Sequence, residues 1–189
     1  MSKALKRCSW PGTDPLMLRY HDEQWGKPVH DDRKHFEAFV LDAAQAGLSW
    51  RTVLYKREGY RKAFARFDFK KVAKYGPKDF RRLMNDASII RNRQKIASAI
   101  TNARKFLEIR EEFGTFDRYI WSFTGGKTID HRHRKLSDIG ATSKESDVMS
   151  KDLKKRGFKF VGSTICYAYM QGVGIVNDHL VSCFRHRKP

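Results

Sequence analysis

The sequence is short of cysteine, of long apolar runs and of acidic residues. It contains 189 residues and only three cysteines, an odd and small number that argues against a disulfide framework. A reducing compartment fits better and leaves metal binding or simple burial as roles for the thiols. No apolar stretch approaches a membrane span, and the first ten residues lack the apolar run of a signal peptide. We therefore expect a soluble, cytoplasmic protein with no membrane partner.

The shortage of acidic side chains sets the charge of the chain. Lysine and arginine number 39 against 21 aspartates and glutamates, which gives a formal net charge of +18. Such an excess indicates a polyanionic partner, with nucleic acid ahead of acidic membrane or a generically basic protein. The basic residues are spread along the chain, which favours a folded basic face over a disordered arm. With 40% hydrophobic residues, we expect one domain over residues 1–189 with a sizeable core.

Strand signals are also scarce, and helical periodicity runs through most of the chain. Asp31 or Asp32 can cap a helix that ends at Gly47, and Ser49 can cap the next one. Further helices are predicted from Pro77, over 86–113, from Ser146 or Asp147 through Leu153, over Ser163–Gly172 and over 178–184. The stretch from Gly125 to Ser143 is predicted to be a long basic loop. The fold class is therefore all-α.

The helix predicted over 86–113 carries basic residues between its apolar positions. These residues are Arg91, Arg93, Lys95, Arg104 and Lys105. They could line DNA, although a solvated helix face is the more common explanation for such a pattern.

A second basic segment surrounds the connection between two predicted helices, where Gly157 and Gly162 bracket a short apolar turn. The two glycines let the backbone turn tightly and approach another molecule closely. The helix that starts at Ser163 presents free N–H groups and the positive end of its dipole, which is a ready phosphate site. Lys159 and its basic neighbours add charge. The segment looks like a helix-hairpin-helix motif that grips the DNA backbone, and an ordinary two-helix connection is the alternative.

His179 and Cys183 are spaced four residues apart, as on one face of a helical turn. Histidine and cysteine are suitable zinc ligands, and Cys8 and His21 could complete a four-ligand site. From spacing alone the pattern is weak, because the interval between Cys8 and His21 matches no short zinc finger. His131 and His133 are competing ligands, although their basic loop disfavours a dication. Cys166 lies in an apolar helix and is assigned to the core.

The first fifty residues hold a group of aromatic rings, Trp10, Tyr20, Trp25 and Trp50. Flat rings can sandwich a nucleobase, although tryptophans more often simply fill a core. Asp42 lies late in an otherwise apolar helical segment, where a carboxylate needs a partner or a function. An exposed aspartate at a helix edge is the ordinary alternative.

Taken together, these groups resemble the 3-methyladenine DNA glycosylase I family, the small zinc-containing members of the helix-hairpin-helix glycosylase superfamily. The resemblance covers nearly the whole chain in family order. The segments that carry it are Cys8-Ser-Trp10, Asp14-Pro15-Leu16, Tyr20-His21-Asp22-Glu23-Gln24-Trp25-Gly26, Gln45-Ala-Gly-Leu-Ser-Trp50, Lys154-Lys-Arg-Gly-Phe-Lys-Phe-Val-Gly162 and Asn177-Asp-His179 with Cys183.

The resemblance implies a helix-hairpin-helix glycosylase fold with two lobes around a base-binding pocket. It also implies one structural zinc ion that joins the two ends of the chain. The implied ligands are Cys8, His21, His179 and Cys183. With four protein ligands such a zinc is structural rather than a water activator.

The resemblance also assigns roles in the pocket. Tyr20 and Trp50 match residues that stack on a flipped base, and Trp10 matches a residue of the pocket wall. Asp42 stands at the position of the family's base-contacting glutamate, so its carboxylate is retracted by about 1.5 Å, the length of one C–C bond. This leaves three alternatives. The shape of the pocket compensates for the shorter side chain, a water molecule bridges the gap between the carboxylate and the base, or the choice of substrate differs. The turn at Gly47 and Leu48 is a plausible wedge for the vacated base stack.

Two further residues bear on the reaction. Asn177 occupies the position where most members of the superfamily carry a catalytic aspartate, and Asp178 is interpreted as the cap of a last helix. No lysine matches a family nucleophile. The resemblance therefore predicts a monofunctional enzyme that leaves an abasic site without cutting the strand.

The predicted function is excision of 3-methyladenine from alkylated double-stranded DNA by a monomer, with the damaged base flipped into the pocket. A shift in preference, for example toward 3-methylguanine as well, is one alternative. A DNA-binding homologue without efficient excision is another, and an RNA-binding zinc module is a third.

Overall fold

The computed structural model describes residues 5–187, which form helices joined mostly by short connections. The α-helices in this range are α1 (Pro15–Glu23), α2 (Asp32–Gln45), α3 (Trp50–Tyr55), α4 (Arg57–Ala63), α5 (Phe69–Val72), α6 (Pro77–Met84), α7 (Arg93–Phe113), α8 (Phe116–Ser122), α9 (Lys144–Lys155) and α10 (Ser163–Gly172). Two-residue strands β1 (Ile129–Asp130) and β2 (Val176–Asn177) pair in parallel. The protein is mostly helical, as predicted, and the strand pair ties the basic loop to the C-terminal segment. None of the described helices has the length and apolar character needed to span a bilayer.

Several helix starts lie where the capping residues place them. The Asp31 carboxylate accepts a hydrogen bond from the Lys34 N–H at 2.8 Å at the start of α2. The Ser49 hydroxyl does the same for the Thr52 N–H at 3.2 Å at the start of α3. These side chains satisfy amides that have no partner within their helices, so the sequence signal is local and strong.

Two predicted starts are wrong because a different cap prevails. The long helix begins at Arg93 rather than at Asp86, since Asn92 caps it by accepting from the Lys95 N–H at 3.0 Å. Asp86 instead closes a turn by accepting from the Ser88 N–H at 2.9 Å. Helix α9 begins at Lys144 rather than at Ser146 or Asp147, because Ser143 and Ser146 form a reciprocal capping box.

The helix predicted over 178–184 is absent, and this segment forms turns. Its amides find partners elsewhere in the chain: the Val181 N–H donates to the His133 carbonyl at 2.9 Å and the Phe184 N–H to the Lys6 carbonyl at 2.8 Å. Contacts between distant segments therefore replace the bonds that a helix would have formed.

One large cluster of buried side chains forms the main core and includes Phe36 of α2, Phe106 of α7 and Phe116 of α8. A second, smaller cluster centres on Cys8, Trp25, Leu180 and Cys183 and joins the two ends of the described chain. The division into two lobes stays a prediction.

Two basic residues of α7 hydrogen-bond to the backbone of neighbouring helices. Lys95 donates to the carbonyls of Ala44 at 2.8 Å and Ala46 at 2.6 Å, and Arg104 donates to the carbonyl of Ala73 at 3.0 Å. These contacts cap the ends of α2 and α5. Arg91 and Arg93 are exposed, and a DNA-lining role for them stays a prediction.

Candidate functional site

An aromatic cavity of about 330 Å³ lies between the N-terminal segment, α1, α2, α3 and α10. It brings together all of the aromatic and acidic side chains predicted for the site. Its lining consists of Trp10, Tyr20, Trp25, Asp42, Gln45, Trp50, Leu136, Ile139, Ala168 and Gln171. A cavity with flat apolar walls and a few polar groups suits a planar ring that carries polar edges.

The rings of the cavity wall pack against one another at angles. The centroids of Tyr20 and Trp50 lie 5.1 Å apart with planes inclined by 48°, and those of Trp10 and Trp25 lie 5.0 Å apart at 66°. The indole N–H groups of Trp10 and Trp50 are buried and have no acceptor among residues 5–187. Buried donors that lack an acceptor are rare in folded proteins.

Asp42 contributes the only carboxyl group among the lining residues of the aromatic cavity, and the side chain is just 6% exposed. No described residue donates a hydrogen bond to it. Burial disfavours the charged form and raises the pKa of Asp42 to about 8. The carboxyl is therefore mostly neutral at pH 7 and faces the cavity without a protein partner, which is an arrangement typical of a functional group.

A larger, more polar cavity of about 670 Å³ lies beside the first. Tyr20, Asp42 and Trp50 line both cavities, so these three side chains form a partition between them. The second cavity includes the ion pair of Arg57 with Glu37, whose Nε–Oε1 distance is 2.7 Å. Asp42 can thus be reached from two sides.

Cys8, His21, His179 and Cys183 form a buried cluster in which the four potential ligand atoms lie within 4.8 Å of one another. The Cys183 sulfur is 3.6 Å from His21 Nε2 and 3.7 Å from His179 Nδ1, and the Cys8 sulfur is 3.8 Å from His179 Nδ1. With Zn–S distances of about 2.3 Å and Zn–N distances of about 2.0–2.1 Å, a tetrahedral site separates sulfur and nitrogen by about 3.6 Å. The cluster therefore has the dimensions of a zinc site.

Hydrogen bonds around the cluster orient both imidazole rings. His21 Nδ1 lies 2.7 Å from the carboxylate of Asp22, which in turn accepts from Arg7. His179 Nε2 lies 3.0 Å from the carbonyl oxygen of Trp25. Each partner accepts the proton of one ring nitrogen, so the other nitrogen points into the cluster as a free lone pair, as in known metal sites.

The protonation of the cysteines and the space around His179 also fit a metal site at this cluster. A hydrogen bond from the Cys8 thiol lowers the pKa of Cys183, which favours the thiolate that a metal requires, while the same bond and burial raise the pKa of Cys8. Gly26 has φ of 75°, and a side chain there would place Cβ 2.9 Å from the His179 ring. Only glycine leaves room for the ring, which gives a physical reason for glycine at this position.

The segment predicted as a DNA-gripping hairpin connects α9 to α10. Gly157 makes the turn with φ of 88°, and Gly162 is the N-terminal cap residue of α10 without a side-chain cap. Asn102 of α7 holds the turn on both sides. Its amide donates to the Lys159 carbonyl at 2.9 Å and accepts from the Lys159 N–H at 2.8 Å. Sequence reasoning missed Asn102 because its partner lies 57 residues away.

The predicted DNA-binding side chains of this hairpin differ in availability. Lys159 is exposed, but the Ser163 hydroxyl is engaged with Asp147 and Ser146, so Ser163 offers only its backbone N–H. Arg156, a basic neighbour, is paired with Glu112 and Asp152. The charge available to a ligand at the hairpin therefore comes from exposed lysines and from the helix end.

Gly47 and Leu48 form the exposed turn between α2 and α3. Leu48 is 41% exposed, so its apolar side chain is available to a partner. Lys95 holds the last carbonyls of α2 immediately before this turn and so fixes the position from which Leu48 projects.

The interpretation of Asp178 as a helix cap is wrong. Asp178 is 1% exposed, and its carboxylate accepts hydrogen bonds from Tyr167, Gln171 and His131. Asn177 is buried as well and bonds to the backbone of His186 and His179. Neither side chain lines the aromatic cavity. Sequence reasoning also missed the lining residues Leu136, Ile139, Ala168 and Gln171, which lie outside the family motifs, and it included Gln45 in a motif without a role in the cavity.

Comparison with known proteins agrees with this geometry. A family model described as methyladenine glycosylase matches residues 10–186. DNA-3-methyladenine glycosylase 1 of Escherichia coli (strain K12) is 49% identical over 179 residues, which cover 95% of this chain and 96% of the relative.

Solved structures give the same result. A crystal structure of a 3-methyladenine DNA glycosylase I superposes with a TM-score of 0.92 at 46% identity, covering 95% of this chain and 98% of the other. A variant of such an enzyme in complex with 3-methyladenine gives a TM-score of 0.91 at 34% identity, covering 94% of this chain and 96% of the other.

Proposed function

Because the chain belongs to the methyladenine glycosylase family, we propose that it excises 3-methyladenine from alkylated duplex DNA. The reaction hydrolyses the N-glycosidic bond and leaves an abasic site. The observation that carries this proposal is the buried, unpartnered carboxyl of Asp42 in the wall of the aromatic cavity.

Charge gives the cavity its selectivity. The ring of 3-methyladenine in DNA carries a formal positive charge, and aromatic faces attract a cation by about 0.5–2 kcal/mol. A cation beside Asp42 also lowers the pKa of its carboxyl, so that the group ionises, releases its proton to solvent and forms a charge-assisted hydrogen bond. Neutral adenine supplies no such charge, and beside it the carboxyl stays neutral.

The cationic purine is already a good leaving group, so the enzyme needs little proton transfer to the base. Water attacks the sugar C1′ as the glycosidic bond breaks. No lysine belongs to the described lining of the aromatic cavity, which supports hydrolysis without a covalent intermediate and without strand cleavage.

On the DNA side, the first amides of α10 and the exposed Lys159 bind a backbone phosphate beside the lesion. Leu48 inserts into the base stack that the flipped nucleotide vacates. Both contacts are independent of base sequence, as a repair enzyme that must inspect any site requires.

Zinc is the metal that the buried cluster fits best. Cys8, His21, His179 and Cys183 would hold it with all four positions filled, so the ion would supply folding energy rather than activate water. It would fasten the segment that carries Trp10 to the C-terminal segment and so hold one wall of the aromatic cavity in place.

Product analysis tests the proposed function. The protein is incubated with methylated duplex DNA, released bases are separated by chromatography, and the strand is examined before and after alkali. We expect free 3-methyladenine and a strand that breaks only after alkali, which is the sign of an abasic site. Tight binding to alkylated DNA without released base would indicate a non-catalytic homologue, and preferential binding of structured RNA would indicate the RNA-binding alternative.

The reach of Asp42 is tested in the same assay. Asp42→Glu extends the carboxylate by about 1.5 Å. If the shorter side chain already contacts the base directly, the longer one should slow release by overpacking; if a water fills the gap, release should be retained or increased. A change in the ratio of 3-methylguanine to 3-methyladenine would indicate altered substrate choice.

A further inference from the structure

Asp178 is a buried carboxylate that the proposed reaction does not use, although three hydrogen-bond donors converge on it. Its Oδ2 lies 2.6 Å from the hydroxyl of Tyr167 and 2.7 Å from Nε2 of Gln171. Its Oδ1 lies 2.6 Å from Nδ1 of His131 and 3.4 Å from Nε2 of His133. His133 Nε2 forms no hydrogen bond at this distance, although the ligand atoms of His131, His133 and Asp178 lie within 4.8 Å of one another. Hydrogen bonds from Tyr167, Gln171 and His131 therefore hold the carboxylate in place.

This arrangement determines the orientation of the Gln171 amide. A side-chain amide has one end that only donates and one that only accepts. The carboxylate oxygen accepts, so the NH₂ end of Gln171 must face Asp178; the reverse orientation would set two oxygens against each other. The carbonyl oxygen Oε1 of Gln171 consequently points the other way.

Gln171 is also a lining residue of the aromatic cavity. Gln171 lines that cavity in the last turn of α10, together with Tyr20, Asp42 and Trp50. No donor among residues 5–187 bonds to its Oε1, and this oxygen is not among the fully enclosed atoms that lack a partner. Gln171 therefore adds to the residues of the cavity wall an acceptor without a protein donor, and Asp178 sets the direction of this acceptor.

We infer that Gln171 is a base-reading residue, whose side-chain oxygen, oriented by Asp178, accepts a hydrogen bond from the exocyclic amino group of the bound base. The inference rests on the proposed function, because it assumes that the cavity holds a base. An adenine-type base offers an amino N–H to this oxygen. A base with an oxo group at the same ring position meets it oxygen to oxygen and is rejected.

The test measures affinity for two free bases, so it does not depend on catalysis. Binding of 3-methyladenine and of 3-methylhypoxanthine, which carries an oxo group where 3-methyladenine carries the amino group, is followed by the fluorescence of the tryptophans in the cavity wall. The wild-type protein should prefer 3-methyladenine by at least about tenfold, and Gln171→Leu should reduce this preference to less than about threefold. Asp178→Asn frees the amide to turn and should also reduce the preference, while affinity for 3-methyladenine falls less than in Gln171→Leu.

Tyr167→Phe is the matched control, because it removes another hydrogen bond to the same carboxylate and leaves Gln171 in place. It should keep the wild-type preference within about twofold. If Gln171→Leu and Asp178→Asn keep that preference too, or if the wild-type protein does not distinguish the two bases, the inference is wrong. Failure of the proposed function would look different, since the wild-type protein would then release no base from methylated DNA whatever its affinity for the free bases.

Discussion

Asp42→Asn is expected to make the protein more stable and to remove most of its base-release activity. The expected gain in the free energy of unfolding follows from the pKa of the Asp42 carboxyl, which is about 8 in the folded protein and about 3.9 in an unfolded chain. Below pH 4 the group is neutral in both states and costs nothing. As the pH rises from about 4 to about 8, the carboxyl ionises in the unfolded chain but stays mostly neutral in the folded protein. Ionisation lowers the free energy of the unfolded chain, so the free energy of unfolding falls. At pH 7 the difference approaches 4 kcal/mol, and asparagine removes it.

Urea unfolding of both proteins at pH 4 and at pH 8 measures this effect. The stability advantage of Asp42→Asn should be small at pH 4 and should grow to several kcal/mol at pH 8. Leu41→Ala is a suitable contrast, since it creates a neighbouring cavity in the core and should lower stability by a similar amount at both pH values. An advantage of Asp42→Asn that is the same at pH 4 and pH 8 would contradict a buried, unpartnered carboxyl.

In the base-release assay the same substitution should cost about 100-fold in rate, as expected for the loss of one charge-assisted contact in a water-poor site. A gain in stability combined with a loss of activity is the mark of a residue kept for function. A more active Asp42→Asn protein would assign the carboxyl to another role.

Removal of the metal is expected to have the second large effect. A structural zinc contributes folding free energy directly, because its site does not exist in the unfolded chain. Treatment with a strong chelator should lower the melting temperature by more than about 10 °C and abolish base release, and added zinc should restore both. Metal analysis of the purified protein should give one zinc per chain.

Two cysteine variants separate this effect from a general need for thiols. Cys183→Ser removes a ligand and should reproduce the chelated state without responding to zinc. Cys166→Ala changes a buried thiol in α10 outside the cluster and should keep both its zinc and its sensitivity to the chelator. A chelated protein with an unchanged melting temperature would contradict a structural metal.

Local sequence signals predicted several helix starts correctly, and the errors come from two local caps that were missed and from distant contacts. Asp31 and Ser49 cap their helices through bonds to residues three positions away, which a sequence shows directly. The segment 178–184 has helical spacing but forms turns, because its amides bond to His133 and Lys6 instead. Nothing local in the sequence reveals such partners.

The residues of the candidate site also fall into those that local sequence motifs revealed and those that depend on distant contacts. Residues that belong to family motifs, such as Trp10, Tyr20 and Trp50, were predicted from resemblance and do line one cavity. Gln171 was missed because its importance depends on Asp178, and Asp178 was misread because a helix was expected to begin there. Asn102 was missed for a similar reason, since the hairpin backbone that it holds is remote in sequence.

Helix α10 connects the proposed phosphate site to the aromatic cavity. Its first amides face the proposed phosphate site, and Gln171 in its last turn faces the aromatic cavity. A ten-residue helix is about 15 Å long and rigid, so a phosphate held at one end places the base reader at a fixed distance from the DNA backbone. This geometry offers a physical reason for joining the hairpin and the cavity through a single helix.

Recognition of a charged base by this cavity depends above all on the pKa of Asp42. The most direct measurement is an NMR titration of the ¹³C-labelled Asp42 carboxyl carbon in the zinc-loaded protein, assigned with the Asp42→Asn variant. We expect a midpoint near pH 8 for the free protein, because burial without a partner raises the pKa of the carboxyl. A midpoint near pH 4 would show an ordinary solvated or paired carboxylate, and Asp42 would then not be the buried, unpartnered group proposed for the cavity wall.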